Sequence, residues 1–222
     1  MPKSHPNFCK ALVLLLLTFS AGAEAGEYQI SDKKLDEIGR VHGQKAKQRV
    51  SRWRNLAHDP RNASLSDRQK LELANDFINQ TRFLNDIDHW RKKDYWASPL
   101  ETLNTNGGDC EDFGIAKYFT LLEMGVSLEK LRLTYVKALE LNQAHMVLTY
   151  YENANAEPLI LDNLISQIKP ASQRRDLLPV YSFNAEGLWI TNANGTGKRV
   201  GGAERLSLWN DLLAKMKKET GK

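Results

Sequence analysis

One stretch holds most of the reactive groups of this chain: Asn106-Gly107-Gly108-Asp109-Cys110-Glu111-Asp112-Phe113-Gly114. Two glycines allow a tight turn with close backbone approach. A cysteine follows, flanked by three carboxylates, at the start of a run that reads as helix. Free backbone N–H groups and the positive end of the dipole at such a position stabilise a thiolate, the nucleophilic form of cysteine. A thiolate nucleophile needs a base, and the base needs an orienting group. Ala144-His145-Met146-Val147-Leu148 supplies a histidine in a strand-like run, and Leu159-Ile160-Leu161-Asp162-Asn163 supplies an aspartate ending another. Pairing these two strands across the turn at Asn153–Glu157 would bring His145 and Asp162 together. The expected constellation is a Cys110–His145–Asp162 triad, with backbone N–H groups near Cys110 as part of an oxyanion hole.

The neighbouring carboxylates oppose this chemistry, because negative charge beside a thiolate raises its pKa. Asp109, Glu111 and Asp112 must therefore point away or meet a counter-charge. A bound divalent cation would supply one, and oxygen ligands in a glycine-containing turn suit calcium. Zinc is disfavoured, since Cys110 is the one cysteine outside residues 1–25 and His145 has another task. The alternative is that these acids merely cap the helix. Trp96 stands close enough in sequence to line the cysteine's groove or simply to pack.

Several elements must position these groups. Asp32 to about Ala57 reads as one amphipathic helix through Leu35, Ile38, Val41, Ala46, Val50, Trp53 and Leu56. His42 and His58 lie among its charges and read as surface residues. Ser66-Asp67-Arg68-Gln69 has the form of a capping box. A second long helix follows, through Leu71, Ala74, Phe77, Ile78, Leu84, Ile87 and Trp90. Asp94 to Pro99 ends it, Pro99 pushing Ser98 out of helical conformation. The helix from Cys110 is apolar on most sides, stops near Gly125 and should be central. Strands are expected over 131–139, 144–151, 158–161, 178–183 and 188–190, and a last helix over 204–217. The fold class is α+β, one domain over 26–222, with the nucleophile helix packed on an antiparallel sheet and two helices ahead of it.

Composition narrows the setting. The 222 residues are 41% hydrophobic and 26% charged, ordinary for a globular domain with a core. Residues 1–25 read as a secretory signal peptide: basic Lys3 and Lys10, an apolar run from Ala11 to Phe19, and Ala23-Glu24-Ala25 as cleavage site. Cys9 leaves with it, and it precedes the apolar run, so it is no lipoprotein anchor. The formal charge of +4 falls to +3 on cleavage, spread along the chain, which gives no reason to expect nucleic acid. No later apolar run is long enough to span a membrane. A lone thiol in an oxidising compartment calls for a functional reading.

The glycine–cysteine string, together with Asp94-Tyr95-Trp96-Ala97-Ser98-Pro99, Ala144-His145-Met146-Val147-Leu148 and Leu161-Asp162-Asn163, resembles the bacterial transglutaminase-like cysteine proteinases, specifically the LapG-type periplasmic proteases. The similarity runs from about Trp90 to Ile190. It implies a papain/transglutaminase-like core and a calcium-dependent endopeptidase with Cys110, His145 and Asp162 as its triad. It also implies calcium ligands at Asp109, Glu111 and Asp112. The implied substrate is a large surface adhesin, cut near its N-terminus between two alanines, which releases it and disperses biofilm. The implied inhibitory partner is the periplasmic domain of an inner-membrane cyclic-di-GMP receptor. Two other readings stand beside the protease. One is a transglutaminase or deamidase using the same triad on a glutamine side chain. The other is a non-catalytic binding module, against which the intact Cys, His and Asp set argues.

Overall fold

The computed structural model describes residues 30–191 and 197–220; the leader expected over residues 1–25 lies outside them. The stretch expected as one helix is two, α1 (Asp32–His42) and α2 (Gln44–His58). Gly43 separates them at φ +86°, a conformation other residues rarely adopt, and neither helix can continue through it. Ser31 caps α1 by accepting from the Lys34 N–H. After a 3-10 turn at Pro60–Ser64, Ser66 and Gln69 form the expected capping box of α3 (Asp67–Ile78).

The second expected helix ends there, not near Trp90. Arg82 and Phe83 instead form a short strand, β1 (Arg82–Phe83), paired in parallel with β2 (Gly107–Gly108). A four-residue helix, α4 (Asp86–His89), follows β1. Ile87 had matched helical apolar spacing, yet its side chain is exposed. Pro99 does not merely end a helix; it opens one. α5 (Pro99–Thr105) has Ser98 as its N-cap in a second capping box with Glu101, and proline at a first helical position gives up no hydrogen bond.

α6 (Cys110–Glu123) begins at the nucleophile candidate and is the central helix, buried from Asp112 through Leu121. It packs on a seven-stranded sheet of β3 (Leu131–Ala138), β4 (Gln143–Tyr150), β5 (Leu159–Leu161), β6 (Lys169–Pro170), β7 (Leu177–Asn184), β8 (Gly187–Thr191) and β9 (Gly197–Gly201). The strand order is β6-β5-β4-β3-β7-β8-β9, with antiparallel neighbours throughout. The five expected strands stand within two residues of their expected bounds. β6 and β9, too short or too polar to stand out, were not expected. The last helix, α7 (Ser207–Thr220), starts three residues later than expected.

The main core joins Val50 and Trp53 of α2, Leu71 and Ile78 of α3, Ile115 and Phe119 of α6, Leu133 and Leu148 of the sheet, and Trp209 and Leu212 of α7. One buried polar contact crosses it: Trp53 Nε1 donates to Thr120 Oγ1 at 2.7 Å, as a buried indole requires. Among the described residues no helix is long and apolar enough to cross a membrane.

The glycine turn is held from below by α6. A Cβ on Gly108 would lie 2.5 Å from Asp112 Oδ2 and 2.6 Å from Asp112 Cβ. Gly108→Ala must therefore move Asp112 or the turn, and overpacking of this kind costs about 1–3 kcal/mol. Urea unfolding should show that loss; an unchanged midpoint would mean that the turn tolerates a methyl group.

Candidate active site

Cys110 is the first residue of α6 and Asp109 its N-cap. The thiol is half-buried in an open cleft that Trp96, Tyr135, His145, Tyr181 and Leu208 also line. Trp96 serves both roles considered for it, lining this cleft while stacking on Phe183 with ring centroids 5.6 Å apart. His145 stands on β4 and Asp162 one residue beyond β5. Leu148 pairs with Leu161, so the register sets Asp162 across from Val147, two positions from His145. Diagonal neighbours at that offset are within reach of long side chains. His145 Nε2 lies 2.8 Å from Asp162 Oδ1, and both side chains are buried.

The protonation states follow from the surroundings. Burial pushes the Asp162 carboxyl up, but hydrogen bonds from His145, the Leu164 N–H and Arg174 outweigh it and hold it down to about 2. Asp162 is therefore an ionised acceptor, and His145 must donate through Nε2. Its Nδ1 is left as the basic nitrogen. Arg174, in a part of the chain where no site residue was expected, donates to Asp162 Oδ2 at 2.6 Å.

The thiol end has the opposite character. Asp86, Asp94, Asp109, Glu111 and Asp112 crowd around the turn in overlapping groups whose ligand atoms lie within 4.8 Å of one another. Asp86 and Asp94 were not among the expected ligands. Asp86 had been placed within a helix and Asp94 read only as part of a helix end, although the Asp-rich run from 86 to 94 was the available signal. Burial first, then Glu111 and Asp109, push the Cys110 thiol up, while the Met146 N–H acts in the other direction. Cys110 Sγ accordingly donates to Glu111 Oε2 at 2.9 Å, as a neutral thiol. Burial and the neighbouring carboxylates raise Asp86 to about 6, and they raise Asp109 and Asp112 further.

Do these residues fit a cation or a cap? Asp109 stands at the N-cap yet its side chain makes no capping bond. Asp112 Oδ1 accepts from the Ala97 N–H at 2.7 Å, but Asp112 Oδ2, Asp109 Oδ1 and Asp86 Oδ1 are buried without any hydrogen-bond partner. Orphaned buried carboxylate oxygens are costly, and converging ones fit a hard divalent ion. The orphaned oxygens fit the cation reading better than a cap alone.

Residues 28–191 match the family described as bacterial transglutaminase-like cysteine proteinase BTLCP. The chain belongs to that family. No curated protein gives a significant match. Solved structures of LapG from Legionella pneumophila share 42% sequence identity with it. The EGTA-treated form superposes with a TM-score of 0.70, covering 82% of this chain and 97% of that one. The calcium-bound form superposes with a TM-score of 0.69, covering 82% and 98%. The family and these structures bear out the α+β, transglutaminase-like fold class and make the chain a cysteine protease by membership.

The raised carboxyls give the metal-free protein a defined pH response. The folded state keeps protons that the unfolded chain has released, so stability is greatest below the ordinary carboxylate range. It is lost as pH rises through the Asp86 value of about 6 and the Asp109 value of about 10, with the raised Asp112 acting in the same direction. Thermal unfolding in chelator should therefore show a melting temperature that falls between acid and mildly alkaline pH. Saturating calcium should flatten that slope. A chelated protein with no such slope would mean that the cluster is solvated and ionised without strain.

Proposed function

We propose that the protein is a calcium-dependent cysteine endopeptidase with Cys110 as nucleophile, His145 as general base and acid, and Asp162 as the group that orients the imidazole. The observation that carries this is the 2.8 Å contact of His145 Nε2 with a buried, ionised Asp162, in the same cleft as a half-buried cysteine at a helix start. In this reading Cys110 Sγ attacks the scissile carbonyl and its proton passes to His145 Nδ1. The imidazolium then protonates the leaving amine as the C–N bond breaks, which leaves a thioester. A water molecule gives a proton to His145 and attacks the thioester; the C–S bond breaks and the thiol is restored. The unbonded N–H groups at the start of α6 are donors for the developing oxyanion.

Asp86, Asp109 and Glu111, with Asp94 and Asp112 beside them, would hold the calcium ion. When bound, it supplies positive charge that offsets the carboxylates beside the thiol. Support comes from the orphaned oxygens of the cluster and from the calcium-bound form of the LapG structure. The finer assignments rest on family resemblance: export to the periplasm behind the leader, and cutting of a large surface adhesin near its N-terminus at an Ala-Ala site, which releases it and disperses biofilm. Control by the periplasmic domain of a cyclic-di-GMP receptor rests on the same resemblance.

The test is product mass. The chain from Gly26 is incubated with an adhesin N-terminal fragment carrying an Ala-Ala site, in calcium or in chelator. Two fragments whose masses sum to the substrate plus one water are expected, in calcium only. Cys110→Ala and His145→Ala should abolish them. Asp162→Asn should lower kcat by about 10⁴-fold, since loss of the orienting carboxylate leaves the wrong tautomer. A substrate shifted by deamidation or cross-linked, but uncut, would instead assign the same triad to a transglutaminase or deamidase.

A further inference from the structure

Asp162 is restrained on both oxygens. Oδ1 accepts from His145 Nε2 and from the Leu164 N–H at 3.1 Å, whereas Oδ2 accepts from Arg174 Nη2. Arg174 is 2% exposed and comes from another part of the chain, the turn after Ala171–Gln173 that leads into β7. Its guanidinium is itself held by Asp176, with Nε to Oδ1 at 3.0 Å and Nη2 to Oδ2 at 2.8 Å. We propose that Arg174 is a positioning residue of the active site, which fixes the rotation of the Asp162 carboxylate so that Oδ1 receives His145, with Asp176 fixing Arg174 in turn. The inference rests on the catalytic reading of Cys110, His145 and Asp162.

The competing reading is a structural ion pair joining two loops. Burying an ion pair is seldom more stabilising than apolar packing of the same volume, because both charges lose their water. That weakens the structural reading, and the geometry weakens it further. Arg174 spends one nitrogen on both carboxylates while its Nη1 is buried without a partner. Its fork is already closed on Asp176, so the extra bond from Nη2 to Asp162 Oδ2 serves the active-site carboxylate rather than the loop. A carboxylate bonded only by His145 and one N–H could turn, so that the imidazole would lose a fixed direction. Backbone anchoring alone does not prevent that turn, although Asn79 Nδ2 does hold the Asp162 carbonyl at 2.9 Å.

Arg174 also sets the charge against which the imidazolium forms. The charged and titratable groups around the pair are Arg174 and Asp176 ahead of β7, the buried Lys117 of α6, which faces Asp162, and, in the cleft that His145 lines, Cys110, Asp94, Asp109 and Glu111. With Arg174 removed, Asp162 and Asp176 would act on His145 with less opposing charge, so the imidazolium would be held more tightly.

The experiment compares Arg174→Met, Arg174→Lys and Asp176→Asn in the calcium-loaded protein by two readouts. The first is kcat and KM on the adhesin fragment. The second is the His145 imidazole carbon signal followed by NMR across pH, in a Cys110→Ala background. Arg174→Met should lower kcat about 10- to 100-fold, the scale of small misplacements of a reacting group, with KM nearly unchanged. Its His145 midpoint should move to higher pH. Arg174→Lys should return that midpoint towards the parent value while kcat stays reduced, because a lysine cannot hold two carboxylates in a planar fork. Asp176→Asn should lower kcat to a smaller extent. If Arg174→Met does not fold, the lysine and asparagine variants carry the test. Parent kcat in the folded variants, or a loss of kcat matched by a lowered melting temperature with the His145 signal unmoved, overturns the inference. Full activity of Asp162→Asn would instead overturn the catalytic reading beneath it.

Discussion

The constraint on which the rest of the structure depends is the crowding of carboxylates around a single thiol. Two unit charges about 4 Å apart interact with roughly 4 kcal/mol at an effective dielectric of 20, so Glu111 and Asp109, the acids that act on the thiol, are not minor neighbours of Cys110. Burial adds to the effect, since Asp86 and Asp112 are almost wholly enclosed. Left alone, the cluster keeps its own protons and keeps the thiol protonated, which is the state that the Cys110–Glu111 contact describes. In the function proposed, a divalent ion would turn the same side chains from an obstacle into a binding site. The cysteine then sits where the helix N-terminus and the Met146 N–H can act on it. The proposed calcium dependence would follow from where the acids stand rather than from any direct part in bond making.

Holding that cluster falls to pieces of chain remote from it. Gly107 and Gly108 run beside β1, which places α4 and Asp86 next to the turn. The Tyr95 N–H donates to Asp86, and the Ala97 N–H to Asp112. The segment carrying those donors is fastened by the last helix. Lys215 of α7 donates to the Trp96 carbonyl at 2.8 Å and pairs with Glu101 at 2.6 Å, while Ser98 donates to Glu219. Trp209, Leu212 and Met216 anchor the same helix in the main core. α7 lies beyond the residues matched by the family, yet it supports the segment on which Trp96 and Asp94 are carried.

Cys110, His145 and Asp162 were legible in the sequence because each residue type stands alone in a context that needs explaining: a cysteine among acids, a histidine and an aspartate on apolar strands. The central helix and the main strands were legible from apolar runs that tertiary structure had no reason to override. Other features were not. Gly43 could have been a tolerated glycine within a helix; only its positive φ makes it a break. Leu84, Ile87 and Trp90 keep helical spacing, but pairing of Arg82 and Phe83 with the glycine turn prevails over that local pattern. The same pairing brings Asp86 to the site, so the misread helix and the missed carboxylate have one cause. Arg174 lies in an irregular segment with no periodicity, and its partner is distant in the chain. Nothing local marks it.

The two ends of the site are opposite in electrostatic character, and catalysis by a thiol and an imidazole needs both. At the thiol, excess negative charge must be relieved or the nucleophile does not form. At the imidazole the danger is reversed. A buried Asp162 with no opposing charge would hold the imidazolium more firmly, which works against its giving the proton to a leaving amine. A cation beside the aspartate moderates that grip, and Arg174 is the buried cation there; burial pushes the nearby Lys117 ammonium down to about 7, so it is no fixed charge. In the function proposed, the chain thus places acids where a metal would bind and an arginine beside the acid that orients the imidazole. The antiparallel pairing of β4 with β5 and the packing of α6 on β4 keep the two neighbourhoods from merging. Exchange of charge between them would disable the nucleophile and its base together.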